Sequence, residues 1–233
     1  MPGNLLEWIL NMVGVDCTYN GAWWYIFVYA LLVIVSPFIL KTFDKVVGIS
    51  LIIGLVIYLI AWYIRFESGT GNVILLLIGK FGMTYFEYLL GAAFCKFKIM
   101  SKVGAFRDKM PNFMWMIFST GVFLAMLVGH TLIIGNVVIA PITGAIILIL
   151  FHMWRKPRYI KNLFLFIGRH STNIWLTHMF FYAKLFPDFV YIAQYPLLIF
   201  MLMMAITIGV SCCVNWIYQP VDRWLSDKFI NNL

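Results

Sequence analysis

Seven apolar runs, each close to the length that crosses a bilayer, follow one another along this chain, with most of its charge in the short segments between them. A helix needs about 20 apolar residues to cross the hydrocarbon core. In lipid the backbone must satisfy its own hydrogen bonds, so each run is read as a helix. The runs cover about Trp23–Leu40, Val46–Ile64, Val73–Phe94, Phe113–Ile134, Val137–Trp154, Leu163–Phe186 and Pro196–Tyr218. Of the 233 residues 63% are hydrophobic and 11% charged, against roughly 25% charged in a soluble domain. That is too little charge to coat a water-facing surface. The expected fold class is all-α, a polytopic membrane helix bundle of about seven transmembrane helices forming one domain over residues 1–233.

Punctuation between the runs is mostly proline, glycine and basic residues. Trp23-Trp24-Tyr25 is expected to sit at the interface as an aromatic belt. Pro37 is expected to bend or end the first run near Lys41, Pro141 fits the first turn of the fifth, and Pro220 reads as the stop of the seventh. Arg65–Asn72 reads as a turn, and Lys96–Lys109 and Arg155–Lys161 as basic loops. The first fifteen or so residues, with Glu7 and Asp16, are expected to form a short interfacial helix or a loop, and Asp222–Lys228 an amphipathic tail along the interface. They lack the basic stretch and compact apolar core of a signal peptide. Cys17, Cys95, Cys212 and Cys213 make no CxxC pair and no metal-ligand spacing. Cys95, Cys212 and Cys213 fall in or at the end of apolar runs and are expected to be free and buried.

The formal net charge is +8. In a soluble protein that balance would raise nucleic acid as a partner, but here the cations lie between membrane runs and report topology, so no nucleic acid is expected. Arg65 and Lys184 fall on one side and Lys80 within a run, which leaves fourteen of the seventeen lysines and arginines on the other side. The positive-inside rule then puts the N-terminus outside and the C-terminus in the cytoplasm. With no leader to export it, a first run entering in that sense implies an odd number of helices upstream of Met1.

One run departs from the apolar pattern. Leu165–His178 takes in Arg169, His170, Ser171, Asn173 and His178. Polar groups inside a membrane helix cost several kcal/mol unless they face a bundle interior or a wet cavity, so this helix is a candidate site wall. On a helix Ser171, Trp175 and His178 share one face, and Arg169, Asn173 and Thr177 a neighbouring one. Lys80, Thr84 and Glu87 share a face by the same spacing and are expected to point inward with partners. Ser171, Trp175, His178, Lys80 and Glu87 are the substrate-pocket candidates. Each has a plainer reading: His178 as a hydrogen bond between helices, Ser171 and Thr177 as packing hydroxyls, His170 and Arg169 snorkelling to the interface. Ser211 and Asn215 read as glue between helices. No metal site is expected.

Four stretches together resemble the acyltransferase-3 family, integral-membrane O-acyltransferases of surface glycans. The late-helix pattern runs from Leu163 or Leu165 through Gly168, Ser171, Ile174, Trp175, Leu176 and His178. Trp24-Tyr25-Ile26 and Tyr29, followed by Ser36-Pro37, resemble a mid-chain helix of the family. Tyr85-Phe86, Tyr88 and Gly91 resemble its aromatic helix before a basic cytoplasmic loop, and Ile217–Pro220 with Asp222-Arg223 its close. The resemblance spans essentially the whole chain and corresponds to the later part of the family. It implies transfer of an acyl group, often acetyl, from acyl-CoA to a sugar hydroxyl of a polysaccharide or lipid-linked glycan, in a bacterial plasma membrane, with no bound cofactor. The family's catalytic histidine lies near the end of its first helix, ahead of an Arg-rich motif. None of His130, His152, His170 and His178 has that context, so the chain resembles a member lacking the N-terminal helices, and its catalytic residues stay unassigned. The basic loops mainly set topology and alternatively attract the phosphates of acyl-CoA or anionic lipid.

The alternative function is a transporter or flippase for a glycan or lipid precursor, using the same polar faces as a pathway. A seven-span receptor also fits the count, but no extracellular cysteine pair or receptor motif accompanies it.

Overall fold

The computed structural model describes residues 4–132 and 136–230, and every described element is helical. The helices are α1 (Leu5–Met12), α2 (Trp24–Lys45), α3 (Val47–Phe66), α4 (Val73–Lys96), α5 (Ile99–Asp108), α6 (Asn112–Leu132), α7 (Ala140–Met153), α8 (Arg158–Phe180), α9 (Pro187–Tyr191) and α10 (Pro196–Leu225). A 3-10 turn (Asn136–Ile139) leads into α7, and single π-helical turns follow α8 and α10. Met1–Gly3, in the opening stretch, and Ile134, the expected end of the fourth run, lie outside the described residues.

Among the described residues five helices are long and apolar enough to cross a membrane: Trp24–Lys45, Val47–Phe66, Val73–Lys96, Asn112–Leu132 and Pro196–Lys228. The other two expected spans differ for separate reasons. Val137–Met153 is apolar but shorter than these. α8 is long enough but carries Arg158, Lys161, Arg169 and His170. The opening residues do form a short helix: Asn4 caps α1 by accepting from Glu7 N–H at 2.8 Å.

Several expectations fail locally, among them the basic loop Arg155–Lys161, which gives way to α8 at Arg158. Lys96–Lys109 is not a loop but holds the ten-residue α5. Lys98 at φ 51° turns the chain off α4, and residues such as Met100, Lys102, Ala105 and Arg107 then restart a helix with good intrinsic propensity. Pro220 does not stop α10, which continues to Leu225. A proline removes one hydrogen bond from the ladder, and the rest of this 30-residue helix continues through it. Cys95, Cys212 and Cys213 are free but exposed, Cys95 on the wall of an open cavity beside α5 and α7, Cys212 and Cys213 on α10.

Pro37 does not end α2 either. Lacking N–H, it leaves the carbonyl of Val33 without its helical donor. Ser36 Oγ donates to that carbonyl at 2.8 Å, the kind of side-chain repair that lets proline persist in membrane helices. Ser36→Ala is therefore expected to lower stability by about 1 kcal/mol, read from the thermal unfolding midpoint. In a Pro37→Ala background, where the backbone donor returns, the same change is expected to cost almost nothing.

By internal contacts the molecule divides into two compact units. One takes Val28–Arg155, the other the described residues up to Phe27 together with those from Lys156 onward. The first unit is centred on the α3–α4 pair, where Tyr58, Ala61, Met83 and Phe86 form one buried cluster and Phe43, Leu89 and Ala93 a second. Tyr58 Oη donates to the carbonyl of Val137 at 2.8 Å, tying α3 to the turn before α7. Lys96 Nζ reaches Asp44 Oδ1 at 2.9 Å, joining the ends of α4 and α2. In the second unit α8 lies along α10.

Candidate functional site

The polar residues of α8 serve two faces. Towards α10, Asn173 Nδ2 donates to Ser211 Oγ at 3.0 Å and to Asn215 Oδ1 at 2.9 Å. His170 Nδ1 lies 2.8 Å from Ser211 Oγ and 3.4 Å from Asn215 Nδ2. The tautomer with its lone pair on Nδ1 lets both neighbours donate to it, whereas a proton there would oppose the Asn215 N–H. Ser211 is fully buried. His170 thus packs inward, contrary to its reading as a snorkelling side chain, while Ser211 and Asn215 do join two helices as expected. Asn173→Ala is expected to destabilise the chain by about 1 kcal/mol, because the buried Ser211 and the exposed Asn215 each lose a donor while Ser211 keeps His170. A double-mutant cycle with Asn215→Ala measured by thermal unfolding checks the coupling.

The neighbouring face of α8 opens on a cavity of about 700 Å³. Ser171, Trp175 and His178 line it together, joined by Tyr182 from the π-turn, Tyr191 from α9 and Thr207 from α10. The remaining wall is apolar, including Ile174, Phe200 and Met204. His178 Nδ1 sits 2.6 Å from the carbonyl of Trp175. A carbonyl only accepts, so Nδ1 carries the proton and Nε2 keeps the lone pair of the tautomer that makes this bond. Ser171 Oγ donates back to the carbonyl of Gly168 at 2.8 Å. That bond uses its proton within the helix, as a packing hydroxyl does.

Residues far away in sequence hold this wall. The side chain of Asn20, itself buried, donates to the carbonyl of Leu176 at 2.7 Å, and Trp23 Nε1 donates to the same oxygen at 3.1 Å. Trp23 meets Phe180 edge-on at 5.4 Å, and Tyr25 meets Trp175 at 5.5 Å. Trp23 and Tyr25, two of the aromatic triplet expected at the interface, thus brace α8. Their sequence signal, a tryptophan pair three residues after an asparagine, names no partner.

Lys80 and Glu87 belong to the other unit. Thr84, between them on α4, is buried and donates to the carbonyl of Lys80 at 2.9 Å. Lys80 is half-buried. Glu87 is accessible, but it faces a cavity of about 660 Å³ between α4, α5 and α7. Leu90, Cys95, Lys98, Ser101 and Pro141 share that wall, and Lys80 is not among its lining residues. Among the described residues no group of three His, Cys, Asp or Glu side chains is placed to hold a metal ion.

A family model described as an acyltransferase domain matches residues 2–216 of this chain. No curated protein and no solved structure matches it.

Proposed function

The chain belongs to the acyltransferase-3 family of membrane acyltransferases, and from that premise we propose that it serves transfer of an acyl group, commonly acetyl, from acyl-CoA to a sugar hydroxyl. The acceptor is a surface polysaccharide or a lipid-linked glycan. The observation that carries the reading is the cavity beside α8, where an apolar wall surrounds one histidine whose Nε2 is left to accept a hydrogen bond. In such a reaction the hydroxyl oxygen attacks the thioester carbonyl, its proton passes to a base, and the coenzyme leaves as a thiol. Donors near the carbonyl stabilise the charge that develops on its oxygen.

His178 is assigned to holding the acceptor hydroxyl, Trp175 to stacking against a sugar face, and Ser171 to the cavity wall. Lys80 and Glu87 are assigned to polar ends of substrate in their own unit. The catalytic base stays unassigned among the residues of this chain. For topology the proposal takes seven spans, with the N-terminus outside and the cytoplasmic face basic, in a bacterial inner membrane. The basic face supports a cytosolic, phosphate-bearing donor.

The test is transfer itself. Membranes containing the chain are incubated with acetyl-labelled acetyl-CoA and extracted polysaccharide, and alkali-labile label is measured on sugar. Ester formation above membranes lacking the chain supports the proposal. Absence of label with retained movement of a lipid-linked glycan would put the transporter reading first.

A further inference from the structure

Three helix ends meet around a third cavity, of about 670 Å³, in the unit built on α3 and α4. Arg107 comes from the last turn of α5, Asn112 from the start of α6 and Arg155 from just beyond α7. Arg107 is only 7% exposed. Its Nη1 pairs with Asp108 Oδ1 at 3.0 Å and its Nη2 donates to Asn112 Oδ1 at 3.4 Å. Its Nε–H is buried with no hydrogen-bond partner among the described residues. Arg155 Nη2 lies 3.9 Å from the same Asp108 oxygen. One exposed carboxylate thus faces two guanidiniums, and the cluster keeps a net positive charge.

Away from this charged end the cavity is apolar. Trp115, Met116 and Phe123 line it from α6, and Ile147, Leu150 and Phe151 from α7. From Trp115 to Phe123 the wall runs eight residues along α6, about 12 Å at 1.5 Å per residue. Met116, Phe123, Ile147 and Phe151 are each more than a third exposed, so the wall opens sideways where lipid lies.

We propose that this cavity binds an anionic phospholipid, its phosphate on Arg107 and Arg155 and the first part of an acyl chain along α6 and α7. A buried arginine with an unused donor needs an acceptor, and guanidinium matches phosphate oxygens in geometry and charge. The cationic end sits at helix termini, the depth of lipid headgroups, and the apolar wall runs toward the middle of α6 and α7. A free phosphate would use only the first of these features, which selects the lipid. The proposal is independent of the transfer reaction.

Native mass spectrometry of the purified full chain, titrated with dioleoyl phosphatidylglycerol or dioleoyl phosphatidylcholine, tests it. The anionic lipid is expected to be retained about tenfold more strongly, as one charge-assisted contact warrants. Arg107→Gln is expected to remove the preference. Because Arg107 is buried, the exposed Arg155→Gln is the second variant, and it is expected to reduce the preference in a folded chain. Equal retention of the two lipids, or an unchanged preference in Arg155→Gln, would overturn the proposal. So would displacement of the lipid by inorganic phosphate, or by palmitoyl-CoA at lower concentration than the lipid.

Discussion

Gly82→Ile is expected to cost about 3 kcal/mol or more, enough to remove most of the folded population of a marginally stable chain. A Cβ at Gly82 would stand 2.8 Å from the Cβ of Ala61 and 3.1 Å from Cγ2 of Ile57. Ala61 Cβ is fixed to the α3 backbone and has no rotamer to escape into, so the two helices must separate. Lipid offers them no hydrophobic drive to stay together, and close van der Waals packing over small residues is what holds such pairs. Gly79 and Gly54 show the same closeness, at 3.1 Å from the Ala61 carbonyl and 2.6 Å from Leu89 Cδ1. The Leu89 contact is with the end of a flexible side chain and is easier to relieve. Gly91, on the same helix, has nothing within 4 Å, so Gly91→Ala is expected to be neutral or stabilising by up to about 1 kcal/mol. Adding Ala61→Gly to a Gly82→Ala chain is expected to restore part of the stability by removing the opposing methyl. Thermal unfolding in detergent measures all four. A Gly82→Ile chain as stable as the parent would mean that α3 and α4 do not pack this closely.

Hydropathy made the spans legible where the backbone dominates. α2, α3, α4 and α6 lie within about five residues of the apolar runs and α10 starts with its run but outlasts it by seven, because a stretch this apolar in lipid has helix as its one self-satisfying state. α5 was not legible: a ten-residue basic segment carries no hydropathy signal, and its start depends on Lys98 adopting a positive φ. Prolines misled for a related reason. Pro37 reads as a bend or an end, and the end fails once the serine before it is seen to repair the ladder, while Pro220 removes one bond from a helix of thirty residues.

The site was half legible. Spacing of 3.6 residues per turn put Ser171, Trp175 and His178 on one face, and all three line one cavity. Spacing within a helix says nothing of which neighbour it meets. His170 therefore looked like an interfacial side chain until α10 supplied Ser211 and Asn215, and Asn20 lies 156 residues from the carbonyl it holds. Helical phase put Glu87 with Lys80 and Thr84, but not how deep each lies: Thr84 is buried, Lys80 half-buried, and Glu87 accessible on a cavity wall.

The sharpest consequence for function lies at His178. Its Nδ1 is committed to the Trp175 carbonyl, so any acceptor hydroxyl bound in the cavity meets Nε2. His178→Ala removes that acceptor without opening a tightly packed core, since the ring is half-buried on the cavity wall. In the transfer assay this variant is expected to lose about tenfold in kcat/KM for the sugar, carried by KM, as loss of one hydrogen bond implies. His178→Gln keeps an acceptor near the Nε2 position and is expected to recover most of the loss. The pH profile of kcat should be unchanged in both variants, which separates a residue that holds substrate from one that takes its proton. A large fall in kcat in the glutamine variant, with loss of one limb of the profile, would instead make His178 the base. Wild-type kinetics in the alanine variant would remove this cavity from the reaction altogether, and the family's chemistry would then have to be sought against other walls of the molecule.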